Sequence, residues 1–318
     1  MWGAEGHMVG AMLNAFKIGL AILIWLAVVE LGLWVWGGVN LKGTDADLLI
    51  DRPELGTYGW QPDSRGVSFG QEYAFDDKGM RVYGDGPKRV LLVGDSVAFA
   101  VGVRQSESIA AVIAAETGAT VFDASVIGYG LEDHAKTFGW LVEIAKPDVV
   151  VVMLTLNDIQ PSVRKQILSP APEMDFVQGF NEFLRARSRT YLWAKGILDN
   201  TAAFYFRADR NAYEDATPAQ AARALRILDS EIPTVFLLGP YRYETEAGID
   251  QALRSFWMKA SDEAGVTITD FSLPLLDTLK AEAFLWDDPM HLSREGAAFV
   301  GALTARMITP HLSSMSSE

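Results

Sequence analysis

The chain has 318 residues, 49% of them hydrophobic, and carries a formal net charge of −14. That is enough apolar material for one large domain or two small ones, and the acidic balance excludes nucleic acid as a partner because no phosphate-neutralising basic face is available. With no cysteine at all, disulfides, zinc thiolates, iron–sulfur clusters and thiol catalysis are excluded as well.

Residues 1–38 form an N-terminal segment unlike the rest. Within it, residues 18–37 read IGLAILIWLAVVELGLWVWG, with Glu30 as the single charge. A run of that length and composition crosses a hydrocarbon core, and Trp34 and Trp36 near its end suit an interface. It reads as an uncleaved single-span anchor. A signal peptide is the alternative, but the apolar region is long for one and no small-x-small cleavage site follows. Glu30 is placed near enough to one end to reach water or a polar neighbour. Lys17 precedes the span while Lys42 and Arg52 follow it, so basic residues alone do not settle orientation.

Residues 39–87 are rich in Gly, Asp and Pro, with short segments such as GVSFGQEYAF and GMRVYGDG, and read as a juxtamembrane collar of small strands and turns. From residue 88 to about 312 the pattern changes to alternating strands and helices. RVLLVGDS predicts a buried strand, ESIAAVIAAETG a helix with a glycine stop, TVFDAS a second strand and LEDHAKTFGWLVEIAK a second helix. DVVVVMLTLND is a third strand, so rich in valine that both its faces are covered. A mostly helical insertion over about 161–231 interrupts the rhythm. It resumes with PTVFLLG, a helix around 248–264, GVTITDFS and a final helix over about 294–308. Repeated β–α units imply an α/β fold, a parallel sheet with helices on both faces.

Ligands in such folds gather at the carboxyl ends of the strands. The first strand ends in Gly94-Asp95-Ser96, the second in DASVIGYG (residues 123–130) and the third in Thr155-Leu156-Asn157-Asp158. After the last strand comes WDDPMHLSREG with Asp288 and His291. One rim thus gathers a hydroxyl, a glycine amide, a carboxamide and an Asp/His pair, the parts needed for acyl transfer through a serine. Each part also has a plainer use. Ser96 and Asp158 are good helix caps, Gly128 a turn glycine with φ > 0, Asn157 a loop tie and Asp288–His291 a surface pair. Their joint order along the rim favours the chemical reading. His134, in the helix after the glycine block, reads as a residue of the helix surface, with the border of the pocket as its alternative place; His7 and His311 have no assigned role, and Ser125 lacks an acid/base partner. Metal is not indicated, because the one well-placed histidine is needed by the serine. No cofactor is implied.

These four stretches resemble the blocks of the SGNH (GDSL-type) hydrolase superfamily, in order, over roughly residues 88–310. GDS at 94–96, the glycine block through Gly128, TLND through Asn157 and DPMH at 288–291 carry the resemblance. One departure is visible: Thr155 stands where the third block usually has glycine. The resemblance implies a three-layer α/β/α, flavodoxin-like domain, and further implies Ser96 as nucleophile, His291 as general base and acid, and Asp288 as the acid that fixes the imidazole. Asp287 is the alternative acid. It implies an oxyanion hole from the backbone N–H groups of Ser96 and Gly128 and the amide of Asn157, with Asp95 and Asp158 supporting their loops. The implied activity is hydrolysis of a carboxylic ester, with an acylated envelope glycan or lipid as substrate. O-acyltransfer to a glycan is the alternative reaction, and a non-catalytic membrane-anchored binding protein a third reading. Resemblance to membrane-tethered members places the domain outside the cytoplasm, on the periplasmic side. Trp193, Tyr191, Phe204 and Tyr205 of the insertion either pack it onto the sheet or line a substrate wall.

Overall fold

The computed structural model describes residues 2–160, 163, 176–198, 216–286 and 288–314. Helix α1 runs from Trp2 to Trp36, longer at its amino end than the apolar run alone indicates. Its stretch Met12–Trp36 has a mean hydropathy of 2.4 and is almost entirely exposed, so most of its apolar surface lies outside any protein core. Glu30, the one acid in the expected span, does meet a polar neighbour. Its carboxylate accepts the backbone N–H groups of Arg189 and Thr190, both at 2.8 Å, and the Ser188 hydroxyl at 3.2 Å.

After α1, β1 (Leu49–Arg52) and β2 (Thr57–Trp60) form one antiparallel pair, and β3 (Arg65–Ser68) and β4 (Gln71–Ala74) another. Phe69 and Gly70 join the second pair with φ of +49° and +74°, the two positive values that a tight hairpin turn requires. Then β5 (Arg81–Tyr83) leaves this collar to become the antiparallel edge of the main sheet. The sheet is therefore parallel only over its other five strands.

Those five are β6 (Arg89–Gly94), β7 (Thr120–Asp123), β8 (Val149–Leu154), β9 (Thr234–Leu238) and β10 (Ile268–Asp270), in the order β10-β9-β8-β6-β7-β5. Every residue of β8 is buried, as its unbroken apolar run requires of a central strand covered on both faces. The crossover β6–α2–β7, with α2 at Ile109–Thr117, steps one way along the sheet. The crossover β7–α3–β8, with α3 at Leu131–Ala145, steps back past β6. Right-handed crossovers therefore put α2 and α3 on opposite faces.

The insertion contributes α4 (Phe176–Arg187) and α5 (Arg189–Leu198). Next come α6 (Pro218–Leu228), α7 (Gln251–Ala264), α8 (Ser272–Leu279) and α9 (Arg294–Ser314). Helix α6 packs on both α3 and α7, and α9 returns to pack on α2, completing three layers. Thus α6, although inside the stretch 161–231, is the crossover helix between β8 and β9. The described inserted helices lie before it, and α5 packs on α1. Leu192 shares a cluster with Leu33 and Val39, against which Tyr191 and Trp193 pack. These two rings therefore pack against α1 and the collar. Phe204 and Tyr205 lie outside the described residues.

Candidate active site

The strand order reverses at β6, between β7 and β8, and it is beyond the carboxyl ends of the strands at such a switch point that ligands of open α/β sheets bind. Ser96 follows β6 directly, but it caps no helix. Helix α2 starts thirteen residues later, and its cap is Ser108, whose hydroxyl accepts from the Ala111 N–H at 3.3 Å. Residues 96–102 form consecutive turns instead, with Ala100 held at φ +56°. The plainer use of Ser96 is thereby removed.

The Ser96 hydroxyl lies 2.8 Å from His291 Nε2, and His291 Nδ1 lies 2.9 Å from Asp288 Oδ2. A carboxylate only accepts, so Nδ1 carries the proton and Nε2 is left to accept from serine. Asp288 Oδ1 accepts the backbone N–H groups of Met290 (3.1 Å) and His291 (2.8 Å). Asp288 is buried, which opposes its charge. The adjacent His291, the Lys42 ammonium and these N–H groups outweigh that cost and hold its pKa well below the ordinary carboxylate value. Asp287, the other acid considered, lies outside the described residues.

Lys42 is the member that sequence reading missed as a site residue. Its Nζ sits 3.5 Å from Asp288 Oδ2, across 246 positions of sequence. The segment bearing it is pinned on several sides. Asn40 donates to the Gly102 carbonyl at 2.8 Å, the Lys42 N–H to the Arg185 carbonyl at 3.0 Å, and the Phe69 N–H to the Gly43 carbonyl at 2.6 Å. Phe69, a bulky residue held at positive φ, sets its ring edge-on to His291 with centroids 5.6 Å apart.

The rest of the collar braces the two loops beside Ser96. Trp60 stacks against Phe75 and Phe99 at 4.6 and 4.7 Å, and its indole donates to the Ser125 carbonyl at 2.8 Å. The Tyr58 hydroxyl donates to the Ile127 carbonyl at 2.8 Å, immediately before Gly128. Gly128 has φ +77°, a conformation that glycine adopts without steric cost. Beneath the serine turn, the Tyr73 hydroxyl donates to the Val103 carbonyl at 2.9 Å, while buried Arg81 donates to the Phe99 carbonyl and pairs with Asp123.

Asn157 is half-buried next to these loops, with its Nδ2 donating to Asp95 Oδ2 at 3.4 Å. Asp95 Oδ1 accepts the Val97 N–H at 2.8 Å, and Asp158 Oδ2 accepts the Thr155 N–H at 2.8 Å. Both acids are fully buried, and burial raises both pKa values; the neighbouring Asp95 charge pushes Asp158 further up. His134 departs from its expected place on a helix surface. It is 1% exposed, its Nε2 lies 4.0 Å from Asp158 Oδ1, and burial lowers its pKa to about 3. It is a neutral imidazole at the back of the site. Among the described residues, no group of three or more His, Asp or Glu side chains is gathered to hold a metal ion.

Depressed titration has a consequence for stability. Because the fold favours ionised Asp288, its contribution is fully present above the unfolded aspartate value of about 3.9 and is lost as pH falls through the lower folded value. Asp288→Asn is therefore expected to lower the melting temperature at pH 7, with the gap from wild type closing as the buffer is taken below pH 4. Thermal scans across that range check this, and a gap that stays constant with pH contradicts it.

A family model for the GDSL-like lipase/acylhydrolase family matches residues 92–299. The chain belongs to that family, and is an ester hydrolase of the SGNH type. Comparison with curated proteins finds no match. Among solved structures, the chain is similar to the lipase/acylhydrolase from Enterococcus faecalis, at 17% identity and a TM-score of 0.43 over 71% of this chain and 97% of that one. The protein TesA is similar at 16% identity and 0.43, over 71% and 100%. Axe2, an acetylxylan esterase from Geobacillus stearothermophilus, is similar at 14% identity and 0.40, over 72% and 95%.

Proposed function

We propose that the protein is a membrane-anchored serine esterase that removes acyl groups from a bulky acylated substrate of the cell envelope, a glycan or a lipid, through an acyl-serine intermediate. The observation that carries this reading is the continuous line of hydrogen bonds from Ser96 through His291 to Asp288. In this mechanism the Ser96 oxygen attacks the ester carbonyl while His291 Nε2 takes its proton. Asp288, with Lys42 beside it, stabilises the imidazolium and holds its orientation. The carbonyl oxygen becomes an oxyanion that is met by the N–H groups of Ser96 and Gly128 and by an amide N–H of Asn157. His291 returns the proton to the leaving alkoxide. Water, deprotonated by the same imidazole, then releases the acid and restores Ser96.

The placing of the substrate at a membrane draws support from α1 and from a cavity at its end. This cavity, of about 1080 Å³, is lined by Trp34 and Trp36 of the helix, by Gly70 of the Phe69 turn, and by Arg242, Leu285 and Trp286. It is large enough for a head group or several sugar units. The deciding assay supplies washed membranes containing the protein with an O-acetylated envelope polysaccharide and follows free acetate. Acetate release that needs no added acceptor is the expected result. Label passing from an acetyl donor to an oligosaccharide, with no free acetate, replaces hydrolysis by transfer.

A further inference from the structure

Thr155 is the position at which this chain departs from the glycine of the resembling block, and its hydroxyl is built into the site. The residue is 3% exposed. Its Oγ1 lies 2.5 Å from Asn157 Oδ1 and 3.2 Å from Asp95 Oδ2. Its own backbone N–H is held by Asp158 Oδ2 at 2.8 Å, so the residue is fixed at both ends. A hydroxyl has one hydrogen, and the amide oxygen of Asn157 can only accept. The shorter contact therefore takes that hydrogen.

At its other end, the Asn157 amide donates one N–H to Asp95 Oδ2 at 3.4 Å. The two bonds grip the carboxamide by its oxygen and by its nitrogen. A primary amide carries two N–H groups, so this grip leaves the second as a donor. With the oxygen released, rotation of the amide by half a turn exchanges a donor for an acceptor. An acceptor facing a developing oxyanion repels it, whereas a fixed donor stabilises it without reorganisation.

We infer that Thr155 is a positioning residue, whose hydroxyl locks the Asn157 amide in the orientation that presents an N–H to the oxyanion. This rests on the assignment of Asn157 to the oxyanion hole made above. It also gives the departure from glycine a purpose: the side chain supplies a lock that a glycine at this position lacks.

The test is a double-mutant cycle on the full-length chain in detergent micelles, with p-nitrophenyl acetate as substrate. Thr155→Val, which keeps the shape and deletes the hydroxyl, is expected to lower kcat by about 3- to 10-fold, the range for one lost hydrogen bond. KM should stay within about twofold, because the lock acts in the transition state. Thr155→Ser should restore kcat. Asn157→Ala is expected to lose roughly 100-fold or more, and adding Thr155→Val to it should cost nothing further. Equal loss from Thr155→Val in both backgrounds, or failure of serine to rescue, overturns the inference. Wild-type kcat in Asn157→Ala overturns the oxyanion assignment itself, and the inference with it. Thermal unfolding of each variant separates these outcomes from misfolding, since only a folded variant enters the cycle.

Discussion

Ser96→Ala is expected to lower kcat for p-nitrophenyl acetate by on the order of 10⁴- to 10⁶-fold, with little change in fold. The loss is large because, among the described residues, no other serine on the rim is paired with a base that could take over covalent attack. Ser125, the nearest alternative in sequence, is fully buried and its hydroxyl has no hydrogen-bond partner. Fold is spared because Ser96 contributes no helix cap and its backbone contact with Val101 survives the substitution. Some rate above the uncatalysed background should persist, from the proposed oxyanion donors and binding alone. Stopped assays with purified variant and wild type, in the same detergent, read this directly. Retention of more than about a tenth of wild-type kcat would place the chemistry on another residue.

His291→Ala is expected to cost nearly as much, and the double variant with Ser96→Ala no more than either alone. The two residues act as one unit: a serine without its base attacks no faster than an ordinary alcohol, and a base without serine has nothing to activate. A second signature separates His291 from a merely structural residue. Its variant should show a residual rate that climbs with pH, as hydroxide takes over the deprotonation that Nε2 performs. The buried His134 offers no substitute. It lies against Asp158 and its pKa is lowered to about 3 by burial. A measured residual rate that is flat with pH, or losses that multiply in the double variant, contradicts a shared role.

Much of this site was legible in the sequence because its parts lie where local patterns change. Gly94, Asp123 and Leu154 end apolar runs of strand length, and Ser96, Gly128 and Asn157 each follow one of those ends closely. Asp288 and His291 were legible as a pair because they lie three positions apart. What escaped was whatever depends on distant segments meeting. Lys42 gives no local sign of its partner, since nothing near it in the chain requires an acid. The collar's aromatics, Tyr58, Trp60 and Tyr73, read as ordinary strand residues. Their use as braces for the loops of Ser96 and Gly128 arises only when β2 and β4 are laid across the end of the sheet. The edge strand β5 escaped for a related reason: three residues are too few to display a period. Ser96 and Ser108 show a third limit, since both have cap chemistry and only the backbone path decides which of them starts α2.

Thr155 was visible as a departure, but its effect was not. A hydroxyl at that position means little until Asn157 Oδ1 is found 2.5 Å away. The same holds for Glu30. As a letter in an apolar run it is an anomaly, and in the fold it receives the first N–H groups of α5. Through that contact the apolar helix and the inserted segment are joined near the Arg185 carbonyl that holds Lys42.

Covalent trapping shows whether Ser96 is a nucleophile activated by His291. Full-length protein in detergent is treated with a fluorophosphonate, digested, and its peptides are read by mass spectrometry. One adduct is expected, on Ser96, formed rapidly in wild type and at a rate reduced by orders of magnitude in His291→Ala. Absence of the adduct from Ser96, or labelling there that does not depend on His291, would contradict it.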